Sequence, residues 1–286
     1  MNNLTISDYL NRDKPEKLWH YTSINVFNSI LSAQPIPTFW MTEISYLNDH
    51  QEYEHGFEII KNVLDKKIIE YEASSEVSEF LSLLNATLFF RGHLDRSLDD
   101  ANGSGVFVLS FTEESDLLSQ WRAYTPNGHG VSIAVDPSFS LNSILYPVIY
   151  NETLKVEYAN IIFNEVINGF LSLDDRTSPI LKNELIQQFI GKAKVACSLM
   201  KDKGFSEEKE WRYVVFNQSH SNIFLREGDC YLTPYIKLSI IREYFKAVVL
   251  GPNPHMNLCK KSIELLKSKY QLKHISTAIS SIPYRG

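Results

Sequence analysis

The sequence predicts an α+β fold, and the main reason is that helical and strand-like patterns are segregated along the chain. Helical periodicity is concentrated at about 50–95 and 159–201, and strand-like runs surround both stretches. Such segregation is typical of α+β domains rather than of alternating βαβ chains. The 286 residues are 44% hydrophobic and 12% aromatic, enough for a sizeable core. We therefore expect a peripheral segment, 1–17, and a single domain, 18–286, with two helical insertions.

Individual elements follow from local patterns. Runs rich in β-branched and aromatic residues predict strands, and apolar residues three or four apart predict helices. Strands are expected at 18–22, 38–41, 106–111, 131–135, 146–150, 155–158, 214–216, 222–225, 230–236, 247–250 and 272–276. Helices are expected from about 24, from about 50, and over 76–91, 117–124, 159–171, 179–201 and 255–269. The run 106–111 is continuously apolar, which predicts a strand buried on both faces.

Composition narrows the class of protein. The formal charge of -6 argues against a large electrostatic footprint for nucleic acid, although a local basic patch stays open. Three scattered cysteines, without metal spacing, suit a reducing compartment. The first residues lack the pattern of a signal peptide, and no run of about 18 apolar residues occurs. We therefore expect a cytoplasmic protein without a membrane span.

The segment 205–216 concentrates charge in front of an apolar run. In an extended chain, residues two apart face the same way, so Glu208, Glu210 and Arg212 are expected on one side. Two close carboxylates repel, which raises the pKa of one of them, and a guanidinium offsets this. Such pairs occur in acid/base and cation-stabilising sites. The alternative is a solvated strand entrance in which Arg212 neutralises a neighbour.

Aromatic and polar residues elsewhere are further candidates. His20 ends the first predicted strand beside Tyr21 and Thr22, where it either fills a structural role or binds a ligand. Trp121 and Tyr124 lie three apart on one short predicted helix. Core packing is the simpler explanation for Trp121, whereas Tyr124 at the helix end is placed to stack on a planar ligand. Arg122, between them, is a further candidate. Gly128 and Gly130 would let the backbone approach closely.

Several other chemistries have little support. Asn48, Asp49 and Glu52 could bind a metal or a ribose, but helix capping explains them equally well. Motifs for a P-loop, a Rossmann fingerprint, a zinc metalloprotease and a GxSxG nucleophile are absent. No metal is therefore expected. Lysines in the final predicted helix suggest a solvated face, with phosphate contact as the alternative.

Taken in order, these stretches resemble a bacterial family of unknown function. The shared pattern is His-Tyr-Thr-Ser, Leu-Asn-Asp-x-x-Glu, Ser-Phe, Trp-x-x-Tyr, Glu-x-Glu-Trp-Arg and a Gly-Pro turn. Its positions here are 20–23, 47–52, 110–111, 121–124, 208–212 and 251–252. The pattern covers nearly the whole chain after residue 17, but it does not supply an activity.

The opening His-Tyr-Thr and the helix after it are also similar to the first strand and helix of ADP-ribosyltransferases. That resemblance implies mixed, mainly antiparallel sheets and NAD as the substrate. It implies that His20 binds the NAD ribose, that Tyr124 or Tyr21 stacks on nicotinamide, and that Glu210 is catalytic. Glu208 would orient the acceptor, and Arg212 and Thr22 would belong to the NAD site. The Ser-Thr-Ser pattern of one subclass is absent.

We therefore expect an NAD-dependent ADP-ribosyltransferase-like enzyme, used as a toxin or an antiphage effector. It would modify a protein or nucleic acid, or hydrolyse NAD, and a partner protein would belong to such a system. One alternative is a non-enzymatic nucleic-acid-binding or phage-sensing module with a basic face that includes Lys260, Lys261, Lys267, Arg242 and Lys246. Another is a metal-dependent nuclease that uses Asp49 and Glu52.

Overall fold

In the part of the chain that the structure describes, ten strands form one mixed sheet and eight α-helices accompany it. The computed structural model describes residues 4–47, 51–87, 105–125, 129–140, 145–216, 218–228 and 230–283. The strands are β1 Leu18–Ser23, β2 Thr38–Glu43, β3 Val106–Thr112, β4 Gly130–Val135, β5 Leu145–Pro147, β6 Glu210–Phe216, β7 Phe224–Glu227, β8 Leu232–Ser239, β9 Phe245–Leu250 and β10 Ser276–Ile279. Among the described strands, every pair is antiparallel except β9 with β10.

Most of the described helical residues lie in two pairs of consecutive helices, which we call the helical insertions. The helices are α1 Ile6–Leu10, α2 Ile24–Ser32, α3 Gln51–Glu70, α4 Ser75–Asn85, α5 Leu118–Tyr124, α6 Glu152–Leu171, α7 Pro179–Leu199 and α8 Met256–Lys269. α3 and α4 form the first insertion, and α6 and α7 form the second. The predicted α+β class is confirmed. In the described part of the chain, no helix combines the length and the apolar character that crossing a membrane requires.

The sheet forks at β3. One edge of β3 pairs with β6 along its whole length, and β5 extends the sheet beyond β6. The other edge is shared by two strands: β1 pairs at Thr112, and β2 pairs at Val108 and Phe107. The remaining strands extend from these two branches, in the order β10-β9-β4-β1 on one side and β2-β8-β7 on the other. β1 and β2 therefore diverge on either side of Ser110.

Two hydrophobic cores lie on opposite faces of β3, which confirms that this strand is buried on both faces. Val106 and Val108 face a core made mainly by α3, α4, α6 and α7. Phe107, Leu109 and Phe111 face a second core between the sheet and helices α2 and α8. Because side chains alternate along a strand, one apolar run serves both cores.

The N-terminal segment packs against the rest of the chain. Thr5 caps α1 through a capping box with Asp8, and Ile6 is buried in the helical core. The Tyr9 hydroxyl donates to the carbonyl of Val148 over 2.6 Å. Arg12 forms an ion pair with Glu113 at 2.8 Å.

Two predicted strands were placed wrongly. Residues 155–158 lie inside α6, because the Asn151 side chain accepts from the amides of Thr153 and Leu154 and starts the helix early. The final strand begins at Ser276 rather than at 272, where the chain is still turning away from α8. The N-cap residue of α5 is Leu117, and no side chain caps this helix.

We predict that Phe80→Ala lowers the free energy of unfolding by about 3–5 kcal/mol. Phe80 is 1% exposed and stacks on Phe170 with ring centroids 4.4 Å apart, so truncation leaves a cavity between the two insertions. Urea denaturation measures the change. Leu83→Ala is the matched control, because Leu83 lies on the same helix with 43% exposure and should cost under about 1 kcal/mol. Similar losses for the two variants would contradict the assigned packing.

Candidate functional site

A cleft opens where β1 and β2 diverge. Its cavity volume is about 500 Å³, within the range of roughly 300–1,000 Å³ that small-molecule sites occupy. A small adjoining cavity continues from it towards β6 and is lined by Glu210. His20, Tyr124 and Glu208 line both spaces. Folding therefore brings the predicted imidazole, aromatic ring and carboxylates to one place.

Four buried charged residues form an ion-pair cluster at this junction: Lys201, Glu208, Glu210 and Arg212. The Lys201 ammonium lies 2.6 Å from Glu208 Oε2 and 3.1 Å from Glu210 Oε2. Arg212 donates two bonds to Glu210, from Nε to Oε1 at 2.6 Å and from Nη2 to Oε2 at 3.0 Å. Each side chain is at most 11% exposed, so the alternative of a solvated strand entrance is wrong.

These neighbours keep Glu210 ionised. Burial raises the pKa of Glu210, but the charges of Arg212 and Lys201 outweigh it and lower the pKa from 4.5 to about 2. Hydrogen bonds from Arg212 and from the Ser110 hydroxyl act in the same direction. Arg212 also donates to the carbonyl of Ser198 over 2.7 Å. Glu210 is therefore ionised at neutral pH.

The backbone places Glu208 differently from the extended chain that the spacing suggests. Glu208 ends a 3₁₀ helix, Lys203–Glu208, whereas Glu210 and Arg212 lie on β6. Lys209, between the 3₁₀ helix and β6, adopts a left-handed conformation with φ of 42°. Thr112 anchors the turn, because its hydroxyl donates to the carbonyl of Glu208 over 2.5 Å. The turn brings both carboxylates to Lys201, whereas Glu210 and Arg212 share a side of the strand as predicted.

His20 lies in the gap of the fork. Its Nδ1 is 3.0 Å from the carbonyl oxygen of Ser110, between the points where β1 and β2 pair with β3. A carbonyl oxygen only accepts, so Nδ1 carries the proton. Burial lowers the pKa of His20, which favours the neutral ring with Nε2 as an acceptor. The ring packs edge-on against Phe39 and Phe111.

Tyr21 and Trp121 hold the start of α5. The Tyr21 hydroxyl donates to the carbonyl of Glu114 at 3.0 Å and accepts from the amide of Leu117 at 2.9 Å. Trp121 is 1% exposed, packs edge-on against Tyr21 and donates to Asp116. Core packing is confirmed for Trp121. Tyr21 lines the cleft, but its hydroxyl is occupied by this structural role.

Tyr124 ends α5 at the cleft with 40% exposure. Loss of water around the phenol, followed by the charge of Glu210, raises the pKa of Tyr124. Thr22 is buried and lines the cleft, whereas Arg122 is exposed and lines neither cavity. A side chain at Gly130 would overlap the carbonyl oxygen of Thr22, so this glycine permits the close approach of β4 to β1.

The remaining predicted residues are the possible metal or ribose ligands, Gly128 and the basic face. Asn48 and Asp49 lie outside the described residues, as does Gly128, and the side chain of Glu52 is not described. On α8 the lysines Lys260, Lys261 and Lys269 are exposed, as expected for a solvated face, whereas Lys267 is buried. Lys267 is 5% exposed and bonds to Glu264. Lys246 pairs with Asp136 at 3.3 Å, and Arg242 donates to the carbonyls of Tyr270 and Pro35.

Sequence reasoning missed Lys201, Trp40 and Arg226, which all line the cleft. Lys201 follows the last residues of α7 and is held by a backbone bond to the carbonyl of Ile149 over 3.1 Å. No spacing motif joins it to the two carboxylates. The sequence marks Lys201 only as a single lysine at the end of a predicted helix, and such a lysine is ordinarily exposed.

Comparison with known proteins adds a family match over part of the chain. A family model described as "Protein of unknown function (DUF2971)" matches residues 120–213. The matched segment runs from α5 to β6 and so includes Tyr124, Lys201, Glu208, Glu210 and Arg212. Neither the curated proteins nor the solved structures gave a match.

We predict that the stabilising effect of Glu210 is lost in acid. A carboxylate whose pKa falls from 4.5 to about 2 on folding stabilises the fold fully above about pH 5, and this stability disappears as pH falls towards 2. Urea denaturation of the wild type and of Glu210→Gln should therefore differ by roughly 3 kcal/mol near neutral pH, and the difference should shrink in acid.

The charge control for this measurement is Glu79→Gln, because Glu79 is an exposed glutamate on α4. Its difference from the wild type should stay under about 0.5 kcal/mol at neutral pH. A gap between wild type and Glu210→Gln that is independent of pH would contradict the ionised state assigned to Glu210.

Proposed function

We propose that the cleft binds NAD and breaks its nicotinamide–ribose bond, as in an ADP-ribosyltransferase-like enzyme. The observation that carries this proposal is that His20, Tyr124 and Glu208 line both the cleft and the small cavity adjoining it, where Glu210 is held ionised by two cations. The residues come from three separated parts of the chain. They are the residues to which the resemblance to ADP-ribosyltransferases assigns roles in NAD binding and catalysis.

The reaction requires stabilisation of positive charge. The bond between ribose C1′ and the nicotinamide nitrogen breaks, and both electrons leave with nicotinamide. The ribose then carries oxocarbenium-like positive charge, which a fixed carboxylate in a site of low dielectric stabilises. A nucleophile from the acceptor, or water, forms the new bond at C1′ and loses a proton. Glu210 supplies the fixed charge, and Glu208 is placed to orient the acceptor and take that proton.

The other side chains position the substrate. His20, neutral and fixed through Nδ1 by Ser110, offers Nε2 as an acceptor for a ribose hydroxyl. The exposed ring of Tyr124 offers a stacking surface for nicotinamide. Arg212 is committed to Glu210 and to the carbonyl of Ser198, so it orients the carboxylate.

The proposed setting is a toxin or an antiphage effector. It rests on the resemblance, as does a protein or nucleic-acid acceptor. The alternative basic face has several of its cations occupied by protein groups: Lys246 by Asp136, Lys267 by Glu264 and Arg242 by two carbonyls. These contacts favour the cleft over that face as the place of function.

We predict that Glu210→Gln slows release of nicotinamide from NAD by at least about 100-fold. The amide keeps the size of the side chain but removes the charge that stabilises the ribose cation. Chromatographic assay of nicotinamide measures the rate, and calorimetry should still detect NAD binding. Glu79→Gln, on the exposed side of α4, should keep the wild-type rate. Equal release by wild type and Glu210→Gln, with both proteins folded, would reject the proposal.

We also predict that Tyr124→Leu weakens NAD binding by about tenfold, because stacking of a base on an aromatic ring contributes roughly 1–3 kcal/mol. Tyr124→Phe is the matched control, since it keeps the ring and removes only the hydroxyl. Calorimetric titration of NAD into the three proteins gives the comparison. If Phe weakens binding as much as Leu does, the ring is not a stacking surface.

A further inference from the structure

The branch of the cleft formed by β2, β7 and β8 contains a cation that the proposed reaction does not use. Arg226 on β7 lines the cleft and donates from Nη2 to the Thr42 hydroxyl over 3.1 Å. Its guanidinium carbon lies 5.9 Å from the centre of the Trp40 ring. Trp40 in turn packs against Tyr235 with ring centroids 4.7 Å apart. These contacts fix the guanidinium in place at the cleft.

The described residues that line the cleft carry more positive than negative charges. The charged side chains that line the cleft and its adjoining cavity, among described residues, are Lys201, Glu208, Glu210, Arg212 and Arg226. The first four form the ion-pair cluster, with two cations and two carboxylates. Arg226 has no carboxylate within ion-pair distance in the part of the chain that is described. Among the described residues that line the cleft, Arg226 is therefore the positive charge that no carboxylate offsets.

A partly buried guanidinium without a carboxylate is costly. Burial lowers the pKa of Arg226, yet arginine stays protonated in proteins, so the charge is retained. Removing a cation from water is compensated by an anion, and a guanidinium matches phosphate oxygens with two parallel hydrogen bonds. The neighbouring indole of Trp40 offers a surface for the apolar parts of the same ligand.

We propose that Arg226 forms an oxyanion subsite that binds a phosphate of a nucleoside diphosphate. The neutral ion-pair cluster then faces the sugar end of the ligand, and Arg226 faces its phosphates. This inference rests on the proposed function for the identity of the ligand as NAD. The preference for a phosphate follows from the charges alone.

The test compares ADP with adenosine, because the two differ only in the diphosphate. Calorimetric titration should show that wild-type protein binds ADP more tightly than adenosine. Arg226→Gln should reduce this preference by about tenfold or more, since a charge-assisted hydrogen bond contributes roughly 1.5–3 kcal/mol. Affinity for adenosine should change little. Arg226→Lys, which keeps the charge but not the fork of donors, should retain part of the preference.

The matched control is Lys237→Gln. Lys237 lies opposite Trp40 in the β2–β8 pair, so it shares a face of the sheet with Trp40, but it does not line the cleft. It should keep the preference for ADP, and urea denaturation should show that all variants are folded. A wild type without a preference for ADP, or an equal loss in Arg226→Gln and Lys237→Gln, would overturn the subsite. A normal ADP preference without nicotinamide release would instead reject only the proposed reaction.

Discussion

The ion-pair cluster is the interaction on which the site depends. Moving four charged side chains out of water is expensive, and the cost is recovered only when each group has partners in good geometry. Glu210 achieves this through a two-bond contact with Arg212, a contact with Lys201 and the Ser110 hydroxyl. Removing one member would leave an uncompensated charge. The cluster therefore links the charge of the site to the correct assembly of its surroundings.

That assembly is centred on β3, because this strand pairs with β6 on one edge and with β1 and β2 on the other. Its pairing with β6 places Glu210 opposite Thr112 and Arg212 opposite Ser110. On the other edge of β3, Ser110 is not paired with β1 or β2, and its carbonyl accepts a hydrogen bond from His20 Nδ1 instead. The fork that opens the cleft is thus stabilised by the same imidazole that lines it. The interruption of the sheet opens the cavity, and residues of α2, α5 and the segment before β6 complete its lining.

The second helical insertion contributes polar contacts to the ion-pair cluster as well as side chains to the hydrophobic core. Its end delivers Lys201 to the two carboxylates, and the Ser198 carbonyl accepts from Arg212. The packing of α7 against β6 and β3 fixes the distance between the helix end and the strand. Removing the insertion would therefore take Lys201 away from Glu208 and Glu210, and the Ser198 carbonyl away from Arg212. The buried ring contacts of the insertion, such as that between Phe163 and Phe189, stabilise the site from a distance.

The sequence by itself determined the class of fold, most element positions, and the sharing of a strand side by Glu210 and Arg212, because these depend on local periodicity. It was wrong about 155–158, where one capping side chain overrode strand propensity, and about the extended geometry of Glu208. The tertiary structure alone decided that Lys201 bridges both carboxylates, that Arg226 reaches the cleft and that β1 and β2 part at Ser110. These features join residues distant in sequence, and their partners are selected by strand register and helix packing, which leave no short-range pattern.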